Sequence, residues 1–342
     1  MSITINKQTL AVDRPVFIIA EACDNHLGDI QVAREMIREA KAAGADAIKF
    51  QHHLPEEEML PDVPSSDNFD EPLFDFLKKY ALTLEQHCIL KRYCDEVGIT
   101  YLCTPFSWKA AQEIEGLVPA FKIGSGEMTD TPTLSRIGVF GKPMIVSTGM
   151  SNFGEIEKTY QLLSGLGVPL VLMNCCSEYP PIYEDLNLGV IPEMIKRFPR
   201  ALIGHSDHTP DLYTSFAAVA LGARVLEKHV ILDKEQPGPD QSVSIDFSQL
   251  AKLVEGVRKI EVSLGTEKLV HDREYEIRKW AFRSIVSTRP IAKGEIISQQ
   301  MIWSKRPGTG IPAHEMDKVI GCRAATDIPE NWLICWQELE RD

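Results

Sequence analysis

The sequence lacks three features that would each assign it to a particular class of protein. It has no run of about 18 apolar residues, as a membrane-spanning helix requires, and its first ten residues contain no apolar signal core. It also has no basic excess, since 36 lysines and arginines stand against 49 aspartates and glutamates. Nucleic-acid binding needs clustered basic side chains. We therefore expect a cytoplasmic protein whose partners are neither membranes nor nucleic acids.

The net charge of −13 is unevenly distributed along the chain. From Arg283 onward, 8 basic residues balance 8 acidic ones, so the whole negative excess lies in the first 282 residues. An anionic substrate would therefore depend on a few local lysines, because the overall field of this part repels it.

The eight cysteines do not indicate a disulfide framework. Cys23, Cys103, Cys175 and Cys176 lie within apolar runs, and cysteine is among the residues most often buried. We expect reduced, buried thiols, as is usual in the cytoplasm.

Eight short apolar runs recur along the chain, and each is followed by a segment with helical periodicity. Strands separated by single helices form right-handed crossovers in a parallel sheet, and eight such units close into a (β/α)8 barrel. The length of 342 residues suits a barrel of roughly 250 residues with an appendage. The runs are VFIIAEA (16–22), AIKFQ (47–51), TYLCTPF (100–106), AFKIGSGE (120–127), PMIVSTGM (143–150), LVLMNCC (170–176), ALIGHSDH (201–208) and VLEKHVIL (225–232).

The segments between the runs support this α/β fold. Apolar residues recur at helical spacing in 32–43, which stops at Gly44, and similar patterns occupy 84–97 and 215–221. The connection 52–72 differs, because it is acidic, contains proline and shows no periodicity. Long loops at the carboxyl face of a barrel often act in binding or closure, so we interpret this one as a lid or specificity loop.

The pattern changes after the eighth run. It predicts a helix over 247–264 and an exposed, charged helix over 272–279. From Arg283, short alternating runs rich in proline and glycine are typical of a small β-rich domain. We predict a barrel domain at 1–265, a linker helix at 266–282 and a β-rich domain at 283–342.

Polar side chains stand at the ends of all eight runs, and in a barrel these ends surround one pocket. Lys49, Lys122 and Lys228 are informative, because a lysine within an apolar strand is costly unless an anion lies nearby. Each alone could form a structural ion pair; convergence of two or three indicates a phosphate or carboxylate cradle. The glutamates available for such pairs are Glu21, Glu127 and Glu227, and the converging hydroxyls are those of Ser125, Ser147 and Ser206.

Two histidines end neighbouring runs, His208 in LIGHSDH and His229 in LEKHV. Neutral imidazole is a common ligand of zinc, manganese and iron, and two such ligands leave coordination positions for water and substrate oxygens. Histidine pairs are often structural, but the position at strand ends favours a metal site. His205 lies three positions before His208 and points to the opposite face of the strand, so we predict that it does not bind the metal.

With these residues the chain resembles the sialic acid synthase family, transferases that condense phosphoenolpyruvate with N-acetylmannosamine or a related amino sugar to make nine-carbon acids. The resemblance covers nearly the whole chain. It implies a (β/α)8 barrel followed by a small domain similar to type III antifreeze proteins, in a domain-swapped homodimer. The motifs that carry it are FIIAEACDNHLGD, GADAIKFQ, FKIGSGE, STGM, SDHT, EKHV, GPD, RSIVSTRPIAKGE and KRPGTGI.

The resemblance also implies a role for each matching residue. The metal ligands are His208 and His229, and we expect Mn²⁺, with Mg²⁺ or Co²⁺ as alternatives. In the dimer, Arg306 would reach the sugar in the partner's site. The residues implied for phosphoenolpyruvate are Lys49, Thr104, Lys122, Ser125, Ser147, Ser177 and Ser206. Those implied for the sugar are Gln51, Phe106, Tyr179, Asp240 and Arg306.

The chemistry implied is an aldol-like condensation. The metal polarises the aldehyde of the open-chain sugar, C3 of phosphoenolpyruvate attacks it, and water then adds at C2 before phosphate leaves. Glu127 is the first candidate to activate that water and Glu21 the second, since both are carboxylates at the pocket face.

Three departures from the family pattern leave the acceptor sugar open. Ser177 stands where several bacterial members have asparagine, and Gln241 follows GPD where many members have histidine. The first motif reads EACDNH where EIGxNH is commoner. The candidates are N-acetylmannosamine, its 6-phosphate, and a diacetamido sugar leading to legionaminic or pseudaminic acid.

Two other functions compete with this one. A Schiff-base aldolase would use Lys122 or Lys228 as the imine-forming amine and would need no metal. A non-enzymatic carbohydrate- or ice-binding protein with an inert barrel would leave the paired histidines and converging lysines unexplained.

Overall fold

The structure, a computed structural model, describes residues 1–64, 71–236 and 238–340. The chain divides into two compact units, Met1–Gly265 and Thr266–Asp342. In the first, eight parallel strands close into a barrel in the order β10-β3-β4-β5-β6-β7-β8-β9, so the predicted (β/α)8 architecture is confirmed. The strands of this unit are β1 (Ser2–Ile5), β2 (Gln8–Ala11), β3 (Phe17–Glu21), β4 (Ala47–His52), β5 (Thr100–Pro105), β6 (Phe121–Ile123), β7 (Met144–Ser147), β8 (Leu170–Cys175), β9 (Ala201–Asp207) and β10 (Val225–His229).

Helices separate the barrel strands and cover their outer faces. They are α1 (Ile30–Ala42), α2 (Pro55–Glu58), α3 (Leu73–Tyr80), α4 (Leu84–Val97), α5 (Trp108–Ile114), α6 (Thr131–Gly138), α7 (Phe153–Gly165), α8 (Val190–Arg197), α9 (Tyr213–Ala220) and α10 (Phe247–Ser263). Local signals fix their ends. In α4 the Thr83 side chain accepts from the Gln86 amide in a capping box, and Gly98 ends the helix at φ 74.

Side chains alternate between the inside and outside of the barrel along every strand. Near the amino ends, inward residues are apolar, as Ile19, Leu102 and Val171 show. Outward residues such as Ile18 and Phe50 pack in a second cluster with the helices. Toward the carboxyl ends the inward positions become polar, so the sequence of each strand places a packed core below and reactive groups above.

A hairpin of β1 and β2 precedes the barrel and was not predicted from the sequence. Its Ile3, Ile5 and Leu10 belong to the same apolar cluster as the inward residues of the strands. Since Phe17, at the amino end of β3, is part of this cluster, the hairpin closes the amino end of the barrel.

The predicted lid, 52–72, begins at the last residue of β4 and contains the short helix α2. Residues 65–70 of this loop lie outside the described residues. Helix α3 follows, and its Phe74, Phe76 and Leu77 are buried.

The second unit begins with α11 (Asp272–Ala281), the charged helix predicted from the sequence, which has no buried residue. Two antiparallel pairs of short strands follow, β11 (Ser284–Ser287) with β12 (Ile302–Lys305) and β13 (Arg323–Ala324) with β14 (Leu339–Glu340). Helix α12 (Met316–Val319) lies between the two pairs in sequence. Its separate core consists of Ile285, Ile291, Ile297, Ile302, Ile311, Val319, Ala324, Ile328 and Ile334.

All eight cysteines are described and none forms a disulfide, in agreement with the expectation of free thiols. No helix among the described residues is long and apolar enough to cross a membrane.

One buried ion pair joins two barrel strands on their outer face. Lys228 Nζ lies 3.2 Å from Asp207 Oδ2, and both side chains are fully buried. Asp207 also accepts from Thr214 Oγ1 at 2.7 Å and from Ser215 Oγ at 2.5 Å. Although burial opposes ionisation, Lys228 holds the pKa of Asp207 far below its usual value. The charge at position 228 is therefore needed to keep a buried carboxylate compensated.

The variant Lys228→Met keeps the apolar stem but removes this charge. We expect it to lower the free energy of unfolding by about 3–5 kcal/mol, because Asp207 would remain buried without its partner. Urea unfolding followed by circular dichroism measures the loss. Lys259→Met is the matched control, since Lys259 pairs with Glu255 at the surface and its removal should leave the unfolding midpoint nearly unchanged. Equal losses in the two variants would contradict the assignment.

Candidate active site

A cavity of about 600 Å³ opens at the carboxyl ends of the barrel strands. Because inward positions alternate, side chains from all eight strands or from the loops that follow them reach the same space. Of the 16 site residues predicted from the sequence, 15 line it: Glu21, Lys49, Gln51, Thr104, Phe106, Lys122, Ser125, Glu127, Ser147, Ser177, Tyr179, Ser206, His208, His229 and Asp240.

Arg306 is the remaining predicted residue and belongs to the second unit. It is exposed, its Nε donates to the carbonyl oxygen of Ala281 at 3.1 Å, and its guanidinium lies 5.6 Å from the centre of the Trp280 ring.

Two buried lysines face the cavity, and each is paired with a glutamate. Lys49 Nζ lies 2.6 Å from Glu21 Oε2 and donates to Thr104 Oγ1 at 2.7 Å. Lys122 Nζ lies 3.2 Å from Glu227 Oε1 and donates to Ser147 Oγ at 2.8 Å. The sequence suggested either structural ion pairs or an anion cradle for these lysines. Both lysines have a glutamate partner and a nearby hydroxyl, so the groups needed for each alternative are present.

The carboxylates around these lysines differ in their affinity for protons. Burial raises the pKa of Glu21 to about 7, and the neighbouring Lys49 only partly offsets this effect. Burial also opposes ionisation of Glu227, but Lys122 and Lys49 hold its pKa below the usual value. Glu21 can therefore exchange a proton near neutral pH while Glu227 stays ionised, a division that suits acid–base chemistry.

A second carboxylate, Glu127, points into the cavity with one oxygen unsatisfied. Its Oε2 is buried and has no hydrogen-bond partner among the described residues, and burial raises the pKa of the group. A Cβ at Gly124 would lie 2.4 Å from this oxygen, so only glycine leaves room for the carboxylate. An orphaned carboxylate oxygen in a cavity is placed to hold a water or a substrate group.

A small cradle of hydroxyls surrounds Gly149. The Gly149 amide donates to Ser125 Oγ at 3.1 Å. A Cβ at position 149 would stand 2.2 Å from Ser177 Oγ and 2.8 Å from Ser125 Oγ, so a side chain there would fill the cradle. Hydroxyls and lysine ammonium groups that converge in this way are suited to hold a phosphate or carboxylate.

The rings of His208 and His229 lie side by side, with centres 5.1 Å apart. His208 Nδ1 lies 2.7 Å from the carbonyl oxygen of Cys176, and Nε2 lies 3.2 Å from the Tyr179 hydroxyl. In the neutral ring with its proton on Nδ1, the lone pair is on Nε2. His229 Nδ1 is buried and has no hydrogen-bond partner among the described residues. It lies 4.0 Å from Asp240 Oδ2. An orphaned imidazole nitrogen beside a carboxylate fits a divalent metal ion.

His205 is buried outside the lining of the cavity, and its Nδ1 lies 3.1 Å from the carbonyl oxygen of Asn174. Lys228 also points away from the cavity, toward Asp207. Among the described residues, the lysines that line the cavity are therefore Lys49 and Lys122.

Sequence reasoning missed a cluster around His53. The ring lies 2.9 Å from Glu58 Oε1 and 3.0 Å from Gln51 Oε1, and it stacks on Phe106 at 4.1 Å. Burial opposes protonation of His53, but the hydrogen bond that its Nδ1 donates to the Glu58 carboxylate raises the pKa of the ring. Strand alternation could have predicted that His53 lines the cavity, because it lies two and four residues after Gln51 and Lys49, which point inward. The other lining residues that were not predicted as site residues are Asp24, Met59, Leu73, Leu77, Gly124, Gly126, Met150, Cys175 and Glu227.

The fold and the site together define a class of protein. It is a parallel barrel whose carboxyl face combines buried lysines, a hydroxyl cradle, paired histidines and carboxylates, groups that could hold an anion and a divalent metal ion.

Comparison with known proteins identifies the family. Residues 36–269 match the NeuB family and residues 282–340 match the SAF domain. The chain belongs to the NeuB family, which confirms the resemblance found in its motifs. The comparison also confirms the expectation of an enzyme, because relatives whose names state an activity are called acid synthases.

Three relatives illustrate the likeness. MJ1065 of Methanocaldococcus jannaschii is 38% identical over 99% of both chains. The N,N'-diacetyllegionaminic acid synthase of Legionella pneumophila is 35% identical over 95% of this chain and 94% of its own. The crystal structure of N-acetylneuraminic acid (sialic acid) synthetase from Leptospira borgpetersenii, in complex with citrate, is 31% identical, with a TM-score of 0.73 over 81% of this chain and 95% of its own.

The histidines give a direct test of the site. We expect His229→Ala to abolish retention of a divalent metal with little change in the circular dichroism spectrum, because the orphaned nitrogen is removed. Elemental analysis after dialysis against metal and then against buffer measures retention. His205→Ala is the matched control, since it also removes a buried imidazole but from outside the cavity. Equal metal loss in both variants would rule out His229 as a specific ligand.

Proposed function

We propose that this protein condenses phosphoenolpyruvate with N-acetylmannosamine or a related acylamino hexose, in the presence of a divalent metal, to give a nonulosonic acid and phosphate. The observation that carries the proposal is the convergence of two buried lysines and a hydroxyl cradle with an orphaned histidine nitrogen in one cavity. The names of two relatives, a legionaminic acid synthase and a sialic acid synthetase, support it.

The lysine side of the cavity would hold phosphoenolpyruvate. Burial opposes the charge of Lys49, but the nearby carboxylates of Glu21 and Glu227 raise its pKa, so it is protonated at neutral pH. Lys122 lies on β6, two strands along the barrel from β4, which carries Lys49, and its Nζ donates to Ser147 Oγ. Charge-assisted bonds from two ammonium groups suit the phosphate and carboxylate of one small anion. The hydroxyls that would complete its binding are those of Thr104, Ser125, Ser147, Ser177 and Ser206.

The histidine side would hold the metal, through His229 Nδ1 and His208 Nε2. A hydrogen bond from His208 Nδ1 to the carbonyl oxygen of Cys176 would favour the tautomer that has its lone pair on Nε2. A bound divalent ion would supply Lewis-acid polarisation of the sugar's aldehyde. We expect Mn²⁺, with Mg²⁺ or Co²⁺ as alternatives, as the family resemblance implies.

The carboxylates would handle the water. When C3 of phosphoenolpyruvate forms a bond to the aldehyde carbon, positive charge develops at C2, and a water molecule must add there before phosphate departs. Glu127 would hold this water and accept its proton, a role supported by its buried Oε2, which has no hydrogen-bond partner among the described residues. Glu21, whose pKa lies near neutrality, is the second candidate.

The acceptor would lie toward the mouth, among Gln51, Phe106, Tyr179 and Asp240. Gln51 Nε2 donates to Glu21 Oε1 at 2.9 Å, which ties the sugar side to the anion side. We also propose that two chains form a domain-swapped homodimer in which Arg306 of one chain contacts the sugar bound by the other. The exposed guanidinium and the KRPGTGI motif support this role.

The reaction is tested by measuring phosphate release from phosphoenolpyruvate with three acceptors: N-acetylmannosamine, its 6-phosphate and a 2,4-diacetamido-trideoxy hexose. We expect release with one of them, loss of release in EDTA and recovery when metal is restored. Treatment with borohydride should trap no substrate adduct on a lysine. Release that survives complete chelation would refute metal dependence, and a trapped adduct would favour the Schiff-base reaction.

Two variants separate chemistry from sugar binding. Glu127→Gln should lower kcat by about 10²–10⁴-fold, because the amide cannot accept a proton from water. Arg306→Ala should chiefly raise the KM for the sugar, since a remote contact tightens binding more than it aids bond formation. Steady-state assays measure both, with the surface variant Glu255→Gln as control. A kcat close to that of the unmodified protein in Glu127→Gln would exclude Glu127 from the water step.

A further inference from the structure

A thiol lies within reach of the orphaned histidine nitrogen. Among the described residues, one group of three potential metal ligands has all its donor atoms within 4.8 Å of one another: Cys23, His229 and Asp240. Cys23 and His229 are buried, and Asp240 is partly buried. Three protein ligands with remaining positions for other oxygens are typical of a catalytic metal site rather than a closed structural one.

The backbone at Cys23 is unusual for a residue with a side chain. Its φ is 40°, in the left-handed region that non-glycine residues seldom adopt. A cysteine therefore occupies a site at which the backbone favours glycine, and its thiol points to the same space as His229.

Hydrogen bonds join the chain segments that carry the three potential metal ligands. Asn25 Nδ2 donates to the carbonyl oxygen of Val230 and to Ser244 Oγ, both at 2.9 Å, and Ser244 Oγ donates to the carbonyl oxygen of Asp240 at 2.6 Å. The loops after β3 and β10 are thereby joined next to the two ends that carry Cys23 and His229. This support uses none of the three donor atoms, so the group is preorganised yet free to bind.

A hydrogen-bond cluster without metal is the simpler alternative. The thiol could donate to the Asp240 carboxylate, which would satisfy both groups. It would still leave His229 Nδ1 buried and without a partner, and native structures rarely leave such a group unsatisfied. A metal ion satisfies all three donors at once.

We propose that the Cys23 thiolate and the Asp240 carboxylate bind the divalent metal in addition to the histidine ligands proposed above, through the group that they form with His229. Thiolate is a soft ligand, and therefore the site should prefer Zn²⁺, Co²⁺ or Fe²⁺ over Mn²⁺ and Mg²⁺. On binding, the sulfur–hydrogen bond breaks, sulfur keeps the electron pair that it donates to the metal, and the proton passes to solvent. This inference rests on the metal dependence of the proposed function. It replaces the sugar contact expected for Asp240 and the preference for Mn²⁺.

The test is the absorption spectrum of the full-length protein loaded with Co²⁺ in the absence of substrates. A thiolate ligand produces a sulfur-to-cobalt charge-transfer band in the near ultraviolet. We expect this band in the unmodified protein and its loss in Cys23→Gly, a variant that suits the positive φ and should fold normally. Cys23→Ser, which keeps the size of the side chain, should lose the band as well.

Cys175→Ser is the matched control. Its thiol also lines the cavity and lies 3.9 Å from His208 Nδ1, but outside the group of three donors. We expect the band to persist in this variant. Competition dialysis should show that Cys23→Gly loses its preference for Co²⁺ over Mn²⁺, because the soft ligand has been removed.

Absence of the band in the unmodified protein, or its persistence in Cys23→Gly, would overturn the proposal. A band lost in Cys175→Ser but kept in Cys23→Gly would identify the other thiol as the ligand and also overturn it. Phosphate release is measured separately on the unmodified protein. If that release depends on metal while the spectrum shows no thiolate ligand, only this inference fails; if no acceptor supports release, the proposed function fails on its own evidence.

Discussion

The site depends on one constraint, that a charge buried in a protein interior needs a partner. The inward alternation of β4 and β6 places Lys49 and Lys122 at the barrel mouth, and Glu21 and Glu227 lie 2.6 and 3.2 Å from them. The ammonium groups are therefore already desolvated and held in position before any ligand binds. An incoming anion exchanges one partner for another, and the protein need not reorganise to receive it.

Much of the fold and of the site could be predicted because both follow from strand alternation. The eight apolar runs determine the strand count, and residues two apart share a face, which separates His208 from His205. The same rule places Lys49 inside the barrel. Alternation also puts Lys228 on the face opposite His229, whereas its pairing with Asp207 follows from the register of β10 with β9, which the sequence does not show.

What the sequence could not show depends on loops and on distant parts of the chain. The thiol of Cys23 lies near His229 because the closed barrel pairs β3 with β10, in register at Glu21 and His229, and because Asn25 joins the two loops that follow, 205 residues apart in sequence. The cluster around His53 requires Glu58 from a helix of four residues, which is too short to give a periodic signal. Likewise, nothing in the pattern of 1–11 shows that the hairpin packs against the inside of the barrel.

The hairpin of β1 and β2 bears on the order in which substrates could enter the cavity and products could leave it. Ile3, Ile5 and Leu10 pack with the inward apolar residues of the strands, and this cluster closes the barrel on the amino side of the cavity. Lys49 lies deeper along its strand than Gln51 and the loop residue His53. In the proposed reaction phosphoenolpyruvate would thus have to enter first, and a sugar bound early would block its path. Phosphate, formed at the bottom, would leave only after the nine-carbon acid above it had moved away.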